Sequence, residues 1–340
     1  MTGASSLRPL VDTFGRVHRA MRISVTDRCN LRCTYCMPAT GAQFAPRNEV
    51  LTFEEIARIA RVLSARCGID RLRLTGGEPL VRSDIAKLVA MLTAFPTVRS
   101  VAMTTNGVLL NDVLAKQLVD AGLSGINVSL DSLDPERFAT VTRRRDLERT
   151  LSGIEAAIHS GIAKVKINTL AMKGLTDDEL IQLVAFAIRH DVELRLIEFM
   201  PLDADAAWRD DAVMSGDVIL AILRKHFVEV RPIGRPNPSS PAERFHVSGG
   251  SVQGVVGIIR SVTQPFCQHC DRLRLTATGA IRNCLFSDDE VSLRDAMRSG
   301  CNDDDIVSLV RQSVTAKHRA HGISDDGFVP PRRAMYQIGG

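Results

Sequence analysis

The sequence predicts an α/β fold built on a parallel sheet. Three observations carry this. First, between residues 20 and 200 short strand-forming stretches alternate with helical patterns, and such repetition produces βαβ units. Second, the strand stretches alternate polar with apolar residues rather than reading as unbroken apolar runs. Third, Thr52-Phe-Glu-Glu55 and Thr176-Asp-Asp-Glu179 read as capping boxes ahead of apolar-periodic runs. The same alternation fits a β/α barrel and a doubly wound open sheet.

Taken in order, strands are predicted over 22–26, 71–75, 100–104, 125–130, 164–170 and 193–198, with Ser83 and Asn111 as further helix caps. Arg71 and Arg73 share a face opposite Leu72 and Leu74. Arg22 and Ser24 oppose Ile23 and Val25. Asn127 and Ser129 oppose Ile126 and Val128. Lys166 and Asn168 oppose Val165 and Ile167, and Arg195 opposes Leu194 and Leu196. One face then packs under helices while the other lines a polar cavity rich in cations. A buried unpaired charge costs several kcal/mol, and a charge-assisted hydrogen bond returns about 1.5–3 kcal/mol, so an anionic ligand suits such a cavity. The competing reading puts these residues at strand ends, in water or paired with Asp and Glu. Beyond residue 200 the pattern is less regular. Pro232, Gly234, Pro236 and Pro238 make 231–241 a linker or surface loop. Strands over 245–247, 252–259 and 273–276 precede helices over 291–298 and 303–319.

With 340 residues, the chain holds one large domain or two medium ones. A net charge of +4 is small and argues against a nucleic-acid binder. No run of 18 apolar residues marks a membrane span, and residues 1–20 lack the apolar core of a signal peptide. Six of eight cysteines fall in two tight groups, a pattern of metal binding rather than disulfides. A reducing, cytoplasmic setting follows, with Cys67 and Cys301 as inert buried thiols.

Cys29, Cys33 and Cys36 form Cys-x3-Cys-x2-Cys, with Tyr35 before the last thiol. Three thiolates this close can hold three corners of a [4Fe–4S] cubane and leave one iron open to a substrate or cofactor. Structural zinc competes, but it wants four protein ligands and no fourth Cys or His lies nearby. Thr75-Gly-Gly-Glu-Pro79 follows the second strand, where glycines admit a ligand close to the backbone. Asn106-Gly107 reads as a turn, and Arg143-Arg-Arg145 as a solvated loop or helix end. His159, His190, His226 and His246 read as surface or core residues. The second group, Cys267-Gln-His-Cys270, is followed thirteen residues later by Cys284. There spacing leaves zinc and iron–sulfur both open, with His269 awkwardly placed as a fourth ligand. Arg272 and Arg274 share a face beside these thiols and make a natural phosphate or carboxylate clamp.

The first cysteine run and the Gly-Gly-Glu-Pro stretch resemble the radical S-adenosylmethionine (SAM) superfamily. Both cysteine groups together, with Asn127-Val-Ser-Leu-Asp131, Ile197-Glu-Phe-Met200 and the terminal Gly339-Gly340, resemble its GTP 3′,8-cyclase family of molybdenum-cofactor biosynthesis, over nearly the whole chain. The resemblance implies a partial (β/α)6 TIM-like barrel over 1–200 and a C-terminal α+β extension over 201–340 carrying a second [4Fe–4S] cluster. It implies Cys29, Cys33 and Cys36 on the first cluster and Cys267, Cys270 and Cys284 on the second. SAM would be held by Tyr35, Gly77, Ser129 and Met200. GTP would be held by Arg22, Arg73, Thr104, Lys166, Arg195, Arg272 and Arg274. The Gly339-Gly340 tail would reach the active site, where it and Arg272 and Arg274 are catalytic. Implied partners are a reductant protein and cyclic pyranopterin monophosphate synthase as the next enzyme, with the chain a monomer or homodimer. The competing classes are a peptide-modifying radical SAM enzyme and a non-catalytic zinc module.

Overall fold

The computed structural model describes residues 7–206, 208–250, 252–323 and 325–339. Strands β1 (Leu10–Val11) and β2 (Val17–His18) form an N-terminal hairpin. The chain continues through β3 (Ala20–Ser24), α1 (Phe53–Cys67), β4 (Arg71–Thr75), α2 (Ile85–Thr93), β5 (Ser100–Thr105), α3 (Asp112–Asp120) and β6 (Gly125–Ser129). Next come α4 (Pro135–Thr142), α5 (Leu147–His159), β7 (Val165–Ala171), α6 (Leu180–Arg189), β8 (Glu193–Glu198) and α7 (Gly216–His226). The last third holds β9 (Glu229–Gly234), β10 (Glu243–Gly249), β11 (Val252–Ile259), β12 (Arg272–Leu275), β13 (Ala280–Arg282), β14 (Val291–Ser292), α8 (Leu293–Arg298), α9 (Asp303–Thr315) and α10 (Met335–Ile338).

Strands β3 to β8 lie side by side in sequence order and all parallel, because each crossover contains a helix. Two strands from the last third extend this sheet in parallel, β12 beside β3 and β11 beside β8. Tight connections then add antiparallel neighbours outside them, β13 and β14 on one flank and β10 and β9 on the other. Among the described residues the sheet has β14 and β9 as its ends and does not close. It curves nonetheless, since side chains from β3 through β8 and from β12 line one cavity of about 530 Å³.

The opposite face carries the core. Ile23, Leu72, Leu74, Met103, Ile126, Val128 and Ile167 on the strands are buried with Ile56, Ile59, Leu63, Leu88 and Leu92 on the helices. Each such side chain contributes roughly 1.5–3 kcal/mol through burial. Helix α1 starts where expected, with Thr52 and Glu55 in a reciprocal capping box, and Asn111 caps α3 through Leu114 N–H.

Four expectations need correction. Thr176 forms no capping box. Its hydroxyl donates to Leu170 O, Glu179 turns to Ser132 and Leu133 N–H, and α6 begins only at Leu180. Asp84, not Ser83, precedes α2, and no side chain caps it. The first residues of the expected loop 231–241 belong to β9, which tolerates Pro232 because it is an edge strand needing no amide donor on its open side. Cys301 is only half-buried, whereas Cys67 is fully buried and its thiol is pushed up by that burial.

Candidate active site

The first cysteine trio sits on the loop that leaves β3. Arg32 and Thr34 N–H donate to Thr142 and Val141 carbonyls at 2.9 Å, tying the loop to the end of α4. Arg143, the left-handed residue that ends α4, donates to Met37 O at 2.9 Å. One residue of the Arg143–Arg145 run is thus a brace for the thiols rather than a solvated side chain. Burial pushes the Cys29 thiol up to about 11 and that of Cys36 up to about 12. Cys33 is raised well above its ordinary value by burial and by the Asp131 carboxylate. Such thiols keep their protons until a metal displaces them.

The Thr75–Pro79 turn passes directly beneath this loop. Gly77 N–H donates to Thr26 O and Glu78 N–H to Arg28 O, both at 2.8 Å. A Cβ on Gly77 would come within 2.4 Å of Arg28 O, and Gly76 has φ 145, so neither position accepts a side chain without strain. Glu78 is buried and accepts from Thr105 Oγ1, Asn106 N–H and Leu80 N–H at 2.6, 2.6 and 3.0 Å. Burial pushes its carboxyl up to about 7. Asn106 is more than a turn residue: its amide donates to Asn30 Oδ1 at 2.8 Å and lies 3.7 Å from Cys29 Sγ. Tyr35 Oη donates to Asp131 Oδ2 at 2.5 Å, while Leu170 N–H fixes the other carboxylate oxygen. Tyr35, Gly77, Ser129 and Met200 all line the cavity.

The second trio lies against the same cavity. Cys267 is on a short 3-10 turn, Cys270 precedes β12 and Cys284 follows β13. Because β12 and β13 pair antiparallel, Arg274 opposite Arg282, the thirteen-residue gap brings Cys270 and Cys284 to the same end of the hairpin. Burial raises Cys267. It would raise Cys270 too, but Lys317 and Arg272 outweigh it and hold that thiol below its ordinary value. His269 is not among the lining residues. Among the described residues no three His, Cys, Asp or Glu side chains converge as a single metal ion requires. Three soft thiol donors per group are the donor chemistry of a cubane with one open corner.

Between the trios stand the cations. Arg22, Arg73, Arg195, Arg272 and Arg274 line the cavity, with Thr104 beside Arg73. Burial and mutual repulsion bring Arg73 and Arg274 down to about 10 and Arg22 well below its ordinary value. Lys166 is not brought to the wall: its ammonium pairs at 2.8 Å with Glu193, which also holds Arg195 at 2.6 Å. Two further charged residues, Arg71 and Glu193, also lie outside the sequence-based ligand set. Arg71 lines the cavity and pairs with Asp271. Glu193 is the counter-charge that strand alternation places on the polar face.

The C-terminal segment packs over the first trio. Tyr336 and Ala334 cluster with Met37, Cys29 and Cys36. Arg333 pairs with Glu290 at 2.8 Å and Arg332 N–H donates to Asp288 at 3.0 Å. Gly339 then presents its carbonyl to the Arg274 guanidinium. Its φ is 86, and a Cβ added there would stand only 2.9 Å from Ser24 Cβ, so residue 339 has to be glycine. Gly340 lies outside the described residues.

Strand order, cavity and first trio define a radical SAM protein. The Radical SAM superfamily profile matches residues 23–187, and a second profile, Molybdenum Cofactor Synthesis C, matches residues 192–323. The chain belongs to the GTP 3′,8-cyclase family. It is 54% identical over 331 residues to the GTP 3′,8-cyclase of Rhodopirellula baltica, covering 97% of this chain and 92% of the relative. With that of Rhodococcus opacus it shares 45% identity over 344 residues, covering 100% and 95%. Among solved structures, Streptococcus suis SuiB bound to S-adenosylmethionine aligns with TM-score 0.59 at 14% identity, over 87% of this chain and 68% of that one, a likeness of fold alone.

Proposed function

We propose that this chain converts GTP to (8S)-3′,8-cyclo-7,8-dihydroguanosine 5′-triphosphate, the first step of molybdenum-cofactor biosynthesis, in the cavity between the two thiol trios. The observation that carries the reading is that both trios and the arginine cluster face one cavity in a chain of this family. We read the curved sheet of residues 1–200 as the partial (β/α)6 barrel and residues 201–340 as the extension that flanks it.

Cys29, Cys33 and Cys36 would hold a [4Fe–4S] cluster with SAM on its open iron, and Cys267, Cys270 and Cys284 a second cluster facing the nucleotide base. When bound, the first cluster and SAM supply a primary carbon radical able to remove hydrogen from the ribose of GTP. The chain's own residues position and shield. Gly76 and Gly77 let the turn pack against the Thr26 and Arg28 backbone of the cysteine loop, and Tyr35, Gly77, Ser129 and Met200, on the cavity wall, would hold SAM. Arg22, Arg73, Arg272 and Arg274 complement the triphosphate, whose negative charge offsets the burial and mutual repulsion that hold their own pKa values down. Arg195 and Lys166 share one carboxylate, Glu193, and a nucleotide phosphate would compete with it for both. Gly339 sits on Arg274 where the tail closes one side of the cavity. Fixing base, ribose and phosphates together holds C3′ and C8 in reacting geometry.

No helix among the described residues is long and apolar enough to cross a membrane. A cytoplasmic site of action, a one-electron donor protein and transfer of product to cyclic pyranopterin monophosphate synthase complete the proposal. The test is anaerobic reconstitution with SAM, reductant and GTP, followed by chromatography and mass analysis of the nucleotide. GTP-dependent formation of 5′-deoxyadenosine is expected, together with a cyclised nucleotide that has the mass of GTP but separates from it. SAM cleavage indifferent to GTP would refute the reading.

A further inference from the structure

Behind Cys270, a buried lysine outside the cavity wall joins a polar network anchored by the N-terminal hairpin. Lys317, just beyond the end of α9, is 4% exposed. Its ammonium donates to Arg272 O at 2.9 Å and reaches Cys270 Sγ at 3.6 Å, a proper distance for an N–H···S hydrogen bond. Four residues later His321 lines the cavity with Cys267. The intervening turn is pinned from the N-terminal hairpin: Arg16 donates to His318 O at 2.7 Å, to Arg319 O at 2.9 Å and to Cys267 O at 2.8 Å. Asp12 in turn fixes Arg16 at 2.6 Å. A lysine is seldom buried without a reason, and among the described residues no carboxylate pairs with this one; its contacts are the Arg272 carbonyl and the sulfur.

We propose that Lys317 is a positioning residue for the second cluster. It places a fixed positive charge and a hydrogen bond on the Cys270 corner, and so sets that cluster's iron affinity and reduction potential independently of the first. Thiolate-bound cubanes are anionic, and the proposed nucleotide is a second anion in the same cavity. A cation behind the ligand offsets that repulsion, and hydrogen bonds to sulfur together with local charge are what tune such clusters. The first trio differs: among the described residues the Cys29 sulfur receives N–H groups from Leu31 and Asn106, and no sulfur of this trio receives one from a buried lysine.

The inference rests on the second trio holding a cluster. The experiment uses full-length protein reconstituted anaerobically, unaltered and as Lys317→Met and Lys317→Arg. It reads iron content, resistance of that iron to a chelator, and the midpoint potential of each cluster by EPR-monitored titration. For Lys317→Met the expected result is a 10–100-fold loss of iron affinity at the second site and a lower potential there for whatever cluster is retained. The first cluster should be unchanged and Lys317→Arg should recover much of both. An unchanged first-cluster signal also shows that Lys317→Met has folded. Where that signal is lost as well, Lys317→Gln is read in its place. Equal shifts at both clusters, or none at either, overturn the proposal. If unaltered protein binds about four irons rather than eight, the second cluster itself is refuted and this inference falls with it.

Discussion

The two thiol trios face one cavity from opposite electrostatic settings. Around Cys29, Cys33 and Cys36 the buried charges nearest the sulfurs include carboxylates, Glu78 and Asp131, and all three thiols are raised. Around Cys270 the Lys317 and Arg272 cations outweigh burial and the Asp271 carboxylate, so that thiol is lowered, while Cys267 beside it is raised by burial. The first setting suits a site whose partner, SAM, brings a positive sulfonium. The second suits a site beside a polyanion. Identical ligand counts therefore support different tasks, because the protein fixes the field around each set rather than the set itself.

The largest test of this contrast removes one thiol at a time. Cys33→Ala is expected to abolish both 5′-deoxyadenosine formation and cyclisation. Cys284→Ala should abolish cyclisation but leave SAM cleavage measurable by chromatography. Equal loss of SAM cleavage in both variants would erase the division of labour. Arg274→Ala or Arg272→Ala comes next. Each forfeits a charge-assisted contact worth about 1.5–3 kcal/mol, so the KM for GTP should rise roughly 10–100-fold while SAM cleavage survives. Unaltered cyclisation in both would remove them from the site.

Stability sharpens the contrast further. Arg282 is fully buried on β13 and pairs with Glu290, so Glu290→Gln leaves a buried charge without its partner. The expected cost is about 3 kcal/mol, read as a lower Tm and as iron lost first from the second site, because Cys284 follows the same strand. Acid and base then separate the two regions. Behind the second trio, burial and the Lys317 charge bring His18 down to about 4 from an unfolded value of 6.5, with Asp12 attracting and Arg16 repelling its proton. Its contribution is complete above pH 6.5 and is lost as pH falls towards 4, by up to roughly 3 kcal/mol. Beside the first trio, Glu78 has the opposite sign. Raised by burial to about 7 from 4.5, it favours the folded state at low pH, and that contribution fades as pH rises from 4.5 to 7. Denaturant titrations should show opposite changes in the slope of stability against pH between about 4 and 7: His18→Gln removes a rise with pH and Glu78→Gln removes a fall, and slope changes of the same sign would contradict the assignment.

Much of this was legible in the residues. Period-two alternation in Arg71–Leu74 or Asn127–Ser129 located the cavity face, because a parallel strand covered on both sides does not alternate. Cysteine spacing located both trios. What escaped was long-range. Arg143 braces Met37 from over one hundred residues away, and no local pattern distinguishes it from its exposed neighbours Arg144 and Arg145. Asn106 looked like any Asn-Gly turn until the fold brought it to Cys29. Strand β9 was hidden by its proline, which an edge position excuses. Lys166 faces the predicted side, yet Glu193, on the next strand, claims it.

The most direct measurement of the central claim is EPR of the reduced, anaerobically reconstituted protein, with SAM and GTP added separately. Two [4Fe–4S] signals are predicted. SAM should perturb only the one that Cys33→Ala abolishes, and GTP only the one that Cys284→Ala abolishes. A single cluster, or GTP acting on the signal that depends on Cys33, would contradict the account.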